Sequence, residues 1–580
     1  MNATDPRVIC VESPADLPVL WSVFARVGLA TFLDRHLPPP PLWKGPLTPG
    51  EVIAVWLLFV LSRADHCLSH VEPWAEQHRH TLSALVGKPI RARDFHDDRL
   101  ADLLNRISVD GVWAAVEADL NGHTIRVYQL PTDLVRIDTT TANSYADVVS
   151  AHGLLQFGHS KDDPHRPQLK IATAILDPLG MPLITTVAPG NTADDPMYVP
   201  AISAVRASLG TGGKTYVGDC KMSALGTRAC VASGGDFYLC PLSDVQLSAT
   251  RRRELLQPVW DGSQRLDRVV RPGAEGKSDE LVAEGFSVDV PLTGPMGGTE
   301  MGWTERRWLV RSCAYAVAEE SALDRRLAKA QAAVGALAAR KQGKKRMSEV
   351  EVVEAAAAIL TRERVTGLLD VTVQAATTTR QKRAYRGRPS ATETVVELAV
   401  AVRRNEDAIA NRKREMGWQV YATNRLELGL TPVVWAYRDQ YRIENDWSRL
   451  KGRPLGLTPI YLQNEERMQG LVHLLSLALR ILTLVEWEVR ERLRKTERTL
   501  RGLYPGQAGR QTSRPTAELL LAAMKTISVS VVEVDGRTQA LLTPLTDFQK
   551  ELLTLWNLPS DLYETLARRF PKPVANMSEP

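Results

Sequence analysis

Four residues stand out by type and setting: Asp138, Asp219, Glu444 and Lys451. Asp138 follows Val135 and Ile137 in "DLVRIDTTT", whose alternation reads as a strand, and Asp219 follows a short strand, "KTYVGD". Strand ends aim side chains into a shared cleft, where paired carboxylates repel one another unless cations sit between them. Magnesium prefers oxygen ligands and retains waters, so it is the natural occupant, with manganese as a substitute. Glu444 lies in "YRDQYRIENDWSRLKG", residues 437–452, which reads as helix. At about 100° per residue, Tyr437, Gln440, Glu444 and Lys451 share one face, with Ile443, Trp447 and Leu450 as apolar anchors. Three carboxylates holding two divalent ions can activate a water or a 3′-hydroxyl on one ion and stabilise the leaving oxygen on the other, as in-line phosphoryl transfer requires. Lys451, about two turns beyond Glu444, is placed to hold the phosphate next to the scissile one.

The elements around these residues give them weight, because an aspartate at a strand end or a glutamate on a helix is common by itself. "DLVRIDTTT" and "QLKIATAILDPLGMPLITTVAPGN", with "DPLG" as a turn, predict three antiparallel strands. Alternating helices and strands follow: "DPMYVPAISAVRASLG", "KTYVGD", "MSALGTRACVAS" and "DFYLCP". This is the order of an RNase H-like α/β core, in which the first and fourth strands are neighbours and Asp138 and Asp219 lie side by side.

The chain of 580 residues is too long for one core. Residues 1–130 predict a helical module after a proline-rich loop, and 131–244 the first part of the core. Residues 245–430 read as a large, mixed, β-rich insertion with a basic helical segment. Residues 431–500 predict the rest of the core with the third acid, and 501–580 a C-terminal helical module. Apolar residues at 44% and charged residues at 24% are a globular composition. The longest uninterrupted apolar run, "VIAVWLLFVLS", is short of the roughly 20 residues a bilayer span needs, and no signal peptide is read, so the expectation is a cytoplasmic protein with no membrane partner.

Six scattered cysteines without a CxxC pair argue against a disulfide framework or zinc module. His66, His70, His78 and His80 near Cys67 fit no regular zinc spacing. There is no phosphate-binding G-x-x-x-x-G-K-[ST] loop, so no nucleotide cofactor is expected, and no G-x-S-x-G nucleophile elbow. The net charge of +5 identifies no partner, but basic clusters at 251–253, 341–346, 380–388, 411–414 and 490–501 offer contacts to a phosphate backbone.

At Tyr437, Glu444 and Lys451 the chain resembles the DDE transposases of bacterial insertion sequences, in the branch with a Y-x2-R-x3-E-x6-K signature. Gln440 stands where that signature has arginine, with Arg438 and Arg442 close by but off the spacing. The similarity extends to "IDTTT", to the segment from Gly158 to Pro196, to "VGDCKMSA", to "YATN" at 421–424, and to flanking stretches "RDFHDDRLADLLNRI" and "LTPLTDFQKELLTLWNLPSDLYE". The long span between Asp219 and Glu444 agrees with the β-rich insertion of that branch.

The resemblance implies cut-and-paste transposition. Asp138, Asp219 and Glu444 would be the catalytic metal ligands for two Mg2+ or Mn2+ ions. Lys451, Tyr437, Gln440, Lys161, Arg442 and Trp418 would be DNA contacts, with Trp303 and Trp308 as alternative stacking residues in the insertion, although a buried indole is the commoner use. Its partners would be double-stranded DNA, as terminal inverted repeats and target, and a second copy in a synaptic dimer, with the protein associated with the nucleoid. Two other readings stand beside it: an RNase H-like nuclease acting on branched DNA, which would use the same acids, and a non-catalytic DNA-binding protein derived from a transposase, against which the intact acids count.

Overall fold

The computed structural model describes residues 7–160, 162–273, 278–296, 298–338, 347–383, 389–507, 509–534 and 537–570. Lys161, the basic run at 341–346 and residues 384–388 lie outside the described residues. The chain divides into two compact units. Met1–Cys240, Thr293–Trp303 and Ala436–Pro580 form the first, and Pro241–Leu292 with Thr304–Trp435 form the second. The architecture is mixed α/β, with mostly antiparallel sheets and helical ends.

The first unit opens with β1 (Arg7–Glu12), followed by α1 (Leu17–Val27), α2 (Leu29–His36) and α3 (Pro49–Arg63). Next come α4 (Val71–Gln77), α5 (Arg79–Val86), α6 (Asp97–Ile107) and α7 (Asp110–Tyr128). A capping box starts α3: Thr48 Oγ1 accepts from Glu51 N, and the Glu51 carboxylate accepts from Thr48 N. The sequence pattern of α3 suggests an amphipathic helix, but Val52 through Leu61 are all buried, because neighbouring helices cover it on every side.

At Leu134 the period changes from helical to alternating. β2 (Leu134–Asn143), β3 (Gln168–Leu176) and β4 (Met181–Pro189) form an antiparallel meander closed by the expected "DPLG" turn. Gly180 ends that turn at φ +80°, and an added Cβ would meet Asp446 Oδ2 at 2.6 Å, so only glycine fits. Then come α8 (Tyr198–Leu209), β5 (Thr215–Val217), α9 (Leu225–Ser233) and β6 (Phe237–Pro241). β5 runs parallel to the start of β2, and β6 parallel to β5, giving the order β4-β3-β2-β5-β6. The first and fourth of these strands are therefore neighbours, as the sequence order implies. Asp138, however, sits within β2 opposite Thr173 and not at its end. The strand continues because β-branched Thr139, Thr140 and Thr141 favour extended backbone and β3 stays paired as far as Asn143.

The second unit contains α10 (Ala249–Trp260), β7 (Asp267–Arg271), most of β8 (Glu280–Met296) and of β9 (Thr299–Ser312), α11 (Cys313–Gly335) and α12 (Glu349–Arg362). It continues through β10 (Leu369–Lys382), β11 (Ala391–Arg404), α13 (Glu406–Arg414) and β12 (Trp418–Thr423). Its strands pair in the order β12-β9-β8-β7, and β10 and β11 form a separate two-stranded ribbon. One apolar cluster joins α11 and α12 through Leu323, Leu327 and Leu360, and another gathers Leu256, Phe286, Leu309 and Trp418.

After α14 (Leu430–Arg438) the first unit resumes with α15 (Tyr441–Lys451) and α16 (Glu465–Lys495). The rest is β13 (Leu500–Arg501), β14 (Gln511–Thr512), α17 (Ala517–Ala522), β15 (Val529–Val534), β16 (Arg537–Leu542), α18 (Asp547–Leu555) and α19 (Leu562–Arg568). β15 pairs with β1 on one edge and β16 on the other, so the two ends of the chain share a sheet.

α16 is the centre of the first unit. Helices α1, α3, α6, α15, α17 and α18 and strand β4 pack against it. Among the described residues it is the one single helix long and apolar enough to cross a membrane, and 94% of its apolar window is buried within the protein. A search for uninterrupted apolar runs misses it because His473 and Arg480 break the run. The His473 ring stacks on Trp113 at 4.3 Å and 1°, and its Nδ1 lies 2.8 Å from the Ile107 carbonyl.

Burial pushes the His473 imidazole down to about 4. Between that value and the ordinary one near 6.5 the unfolded chain binds the extra proton, so stability is full above about 6.5 and is lost as pH falls toward 4. Urea unfolding of the wild type should lose about 3 kcal/mol from pH 7.5 to 4 through this group. His473→Gln should flatten the curve by that amount, and an unchanged pH slope would refute the assignment.

Candidate active site

Arg136 and Asp138 are two apart on β2 and so project from the same face. Asp138 is half-buried; its Oδ1 accepts from Thr139 N at 2.8 Å and its Oδ2 from Trp447 Nε1 at 3.1 Å. That second bond brings α15 over the middle of β2. Asp219 lies just past β5, half-buried, with Oδ1 accepting from Tyr198 OH at 2.6 Å and from Lys221 N at 2.9 Å. Its predecessor Gly218 fits where a Cβ would meet Met222 Sδ at 2.7 Å and Tyr198 Cε1 at 3.1 Å. Glu444 stands exposed in the first turn of α15.

Two phenols report on the common field of the acids. The Tyr198 hydroxyl is pushed well up by burial and by the charges of Asp219 and Asp138. Tyr437 is pushed up to about 12 by burial, by Asp219, by Cys220 and Cys240, and by Glu444. Each tyrosine feels two of the three acids, and both stay protonated at neutral pH. The ligand atoms of the three acids do not all lie within 4.8 Å of one another. Among the described residues the group that meets that spacing is the exposed His96, Asp97 and Asp98. An all-oxygen set of two aspartates and a glutamate fits a hard divalent cation such as Mg2+.

The sequence suggests one continuous helix from Tyr437 to Lys451, but the structure breaks it at Asp439 and Gln440. The physical reason is Arg136, which is fully buried. Its Nη1 donates to the Ala436 carbonyl at 2.7 Å, and its Nε pairs with Asp177 Oδ1 at 3.1 Å. Ala436 would be the helical acceptor for Gln440 N, which instead donates to the Tyr437 carbonyl at 3.0 Å. Gln440 Oε1 lies at a long 3.5 Å from Arg136 Nη1, so the guanidinium from β2 reaches the residue that replaces the signature arginine. Tyr437 and Gln440 consequently precede α15 and do not share its face with Glu444 and Lys451.

The remaining predicted contacts are dispersed. Lys451 Nζ pairs with Asp162. Arg442 is tied to Asp177 at 3.3 Å, Asp439 at 2.9 Å and the Pro178 carbonyl at 2.7 Å. Trp418 is buried in the second unit, with Nε1 donating to the Arg414 carbonyl at 3.2 Å. Trp308 is also buried, and Trp303 donates to Tyr238 OH at 2.9 Å. Much of the basic surface is paired: Arg251 with Glu254, Arg252 with Asp244, Arg253 with Glu415, Lys413 with Asp324, and Arg498 with Glu551.

Sequence reasoning missed Tyr198, the polar role of Trp447, and Arg136. It also missed Asp194, which accepts from Thr139 Oγ1 at 2.8 Å and Lys170 Nζ at 2.6 Å beside Asp138. Only the tyrosine just after the "DDPM" turn carried any local signal.

No protein-family model and no curated protein matches the chain. Among solved structures, a match is the cryo-EM structure of the piggyBac transposase synaptic complex with hairpin DNA, at 8% identity and a TM-score of 0.31. It covers 100% of this chain and 90% of that one.

Removing Arg136 leaves Asp177 short of a buried partner. Arg136→Met should cost about 3–5 kcal/mol in urea unfolding. A loss below about 1 kcal/mol would mean that Arg442 alone satisfies Asp177.

Proposed function

We propose that the chain is a transposase that cuts DNA at the ends of its own element and joins the freed 3′ ends to target DNA, with Asp138, Asp219 and Glu444 as its catalytic acids. The observation that carries this reading is the placement of Asp138 on β2, Asp219 just past its parallel neighbour β5, and Glu444 on α15, with Trp447 tying that helix to Asp138. The order β4-β3-β2-β5-β6, with an antiparallel meander followed by parallel neighbours, supports an RNase H-like core.

Asp138, Asp219 and Glu444 would hold Mg2+ or Mn2+, in the branch's manner two ions, which supply Lewis-acid stabilisation of the attacking and leaving oxygens. Tyr198 and Tyr437, held protonated, act as hydrogen-bond donors and not as bases, Tyr198 from its buried place behind Asp219. Lys451 would exchange Asp162 for a phosphate oxygen when DNA arrives. The N-terminal helices are the candidate reader of the terminal repeats, and the second unit the candidate for backbone contacts. Because α1, α3 and α6 pack on α16, deleting residues 1–130 would strip the core along with any DNA contact. Two copies would meet in the synaptic complex, with the protein acting at the nucleoid.

A second reading, a DNA-binding protein without cleavage, is favoured by the acids not closing to 4.8 Å and by the Lys451–Asp162 pair. The test is cutting of a labelled duplex carrying the inverted repeat that flanks the coding sequence, with Mg2+ or Mn2+. Wild type should cut at the repeat end, while Asp138→Ala, Asp219→Ala and Glu444→Ala should bind it and cut more than about 100-fold more slowly, as loss of several kcal/mol of metal-assisted stabilisation implies. Tight binding without cutting in either metal would select the second reading, and cutting by Glu444→Ala at the wild-type rate would remove Glu444 from the site.

A further inference from the structure

A cavity of about 460 Å³ in the first unit opens between the β3–β4 turn, α15, the C-terminal half of α16 and the segment leading to α17. Its wall carries Arg442, Arg490, Arg494, Arg498, Arg514 and Trp487. Only two carboxylates, Glu491 and Glu497, join them in the lining. Arg442, Arg494 and Arg498 are paired, with Asp177 and Asp439, with Glu491 and with Glu551 respectively, which leaves Arg490 and Arg514 as the guanidiniums with the least compensation. Glu486, behind the wall, serves Arg490 at 3.0 Å and Arg449 at 2.7 Å together. The guanidinium of Arg514 has, among the described residues, the Tyr441 hydroxyl at 3.4 Å as its hydrogen-bond partner and no carboxylate. Burial holds Arg490 below its ordinary value against the opposing charge of Glu486, and the nearby charges of Arg449 and Arg514 add to the downward shift.

Crowded guanidiniums in a partly desolvated cavity repel one another, and an anion between them relieves that repulsion. Guanidinium forks match phosphate oxygens. The rest of the lining combines the Trp487 indole and the apolar Leu493, Pro178 and Leu179 with the hydroxyls of Thr483, Thr499 and Ser513. An indole beside arginine planes is the chemistry on which a nucleobase stacks. The volume falls within the about 300–1,000 Å³ range of small-ligand pockets.

We propose that this cavity binds one phosphate-bearing nucleotide, either a unit of a single DNA strand or a free nucleoside phosphate, with the phosphate at Arg514 and Arg490 and the base against Trp487. The site goes beyond the cleavage reading and does not depend on it. None of the three acids lines it.

The test uses the full chain, a fluorescein-labelled twelve-nucleotide thymidine strand followed by anisotropy, and dAMP followed by calorimetry. Arg514→Glu should weaken strand binding at least about tenfold at low salt. Arg514→Ala should lower the slope of log affinity against log salt by about 0.7, one phosphate contact on a single strand. Arg514→Lys should keep most of the affinity, and Trp487→Ala should weaken dAMP more than inorganic phosphate. Arg514 is exposed, so its variants should melt as wild type does. Loss of both strand and dAMP binding places a strand nucleotide in the cavity, and loss of dAMP alone identifies a free nucleotide. Unchanged binding of both probes in Arg514→Glu overturns the proposal, whether or not wild type cuts DNA. Arg514-dependent binding in a protein that never cuts would leave this site standing and end the cleavage reading.

Discussion

A helix that is apolar on every side must be covered on every side, and α16 imposes that demand on the first unit. N-terminal helices, a strand of the central sheet, the acid-bearing helix and the C-terminal helices all pack on it. Both ends of the chain are thereby recruited to one core, and the sheet shared by β1, β15 and β16 follows from that recruitment. The polar groups on α16 had to be satisfied inside the protein. Arg480 donates to Asn121 Oδ1 at 2.7 Å and is offset by the charge of Glu117, whose carboxylate also accepts from Thr185 N at 2.9 Å. Burial drives the Glu117 carboxyl up and the Arg480 guanidinium down, toward sharing less charge. Such a network is worth more for fixing how α7, β4 and α16 align than for stability, since desolvation takes back most of what the attraction supplies.

The same helix holds the candidate site from behind. Glu486 of α16 accepts from Arg449 of α15 at 2.7 Å and from Ala517 N at 2.9 Å, joining the acid-bearing helix to the C-terminal segment. From the front, Arg136 grips the end of α14 and Trp447 grips Asp138. Glu444 is thus carried on a helix fixed at both faces, while its own side chain remains exposed. A rigid frame around a solvent-facing acid is what a ligand site requires, because preorganisation belongs to the supports.

Strand alternation made the meander, the β3–β4 turn and the neighbouring places of the first and fourth strands legible, since these depend on local pattern and on the connections between strands. What was not legible depends on partners far away in the chain. Arg136 sits where alternation reads as a polar, outward position, yet it is fully buried because Asp177 and the Ala436 carbonyl neutralise and cap it. The break between α14 and α15 has no proline or glycine to announce it; the carbonyl is taken by a side chain some three hundred positions away. α16 is legible in the sequence as a strongly apolar helix; what a count of uninterrupted apolar residues does not show is its length as one buried span, because His473 and Arg480 interrupt the run and find their partners only in the folded state.

α15 also shows why spacing alone does not choose a ligand. Asp446 lies two residues beyond Glu444, and by type it is an equal candidate for the third acid. Two residues turn the helix through about 200°, so the two carboxyls face opposite ways. Asp446 is buried against Gly180 with its Oδ2 lacking a hydrogen-bond partner among the described residues, and burial drives its carboxyl far up. The nearby charge of Glu486 adds to that shift, while Arg449 and Arg442 oppose it without overcoming burial. A buried carboxyl pushed toward its acid form is the poorer partner for a cation. The exposed face leaves Glu444 as the acid on this helix able to meet one, and the fold makes that choice by where it buries the helix.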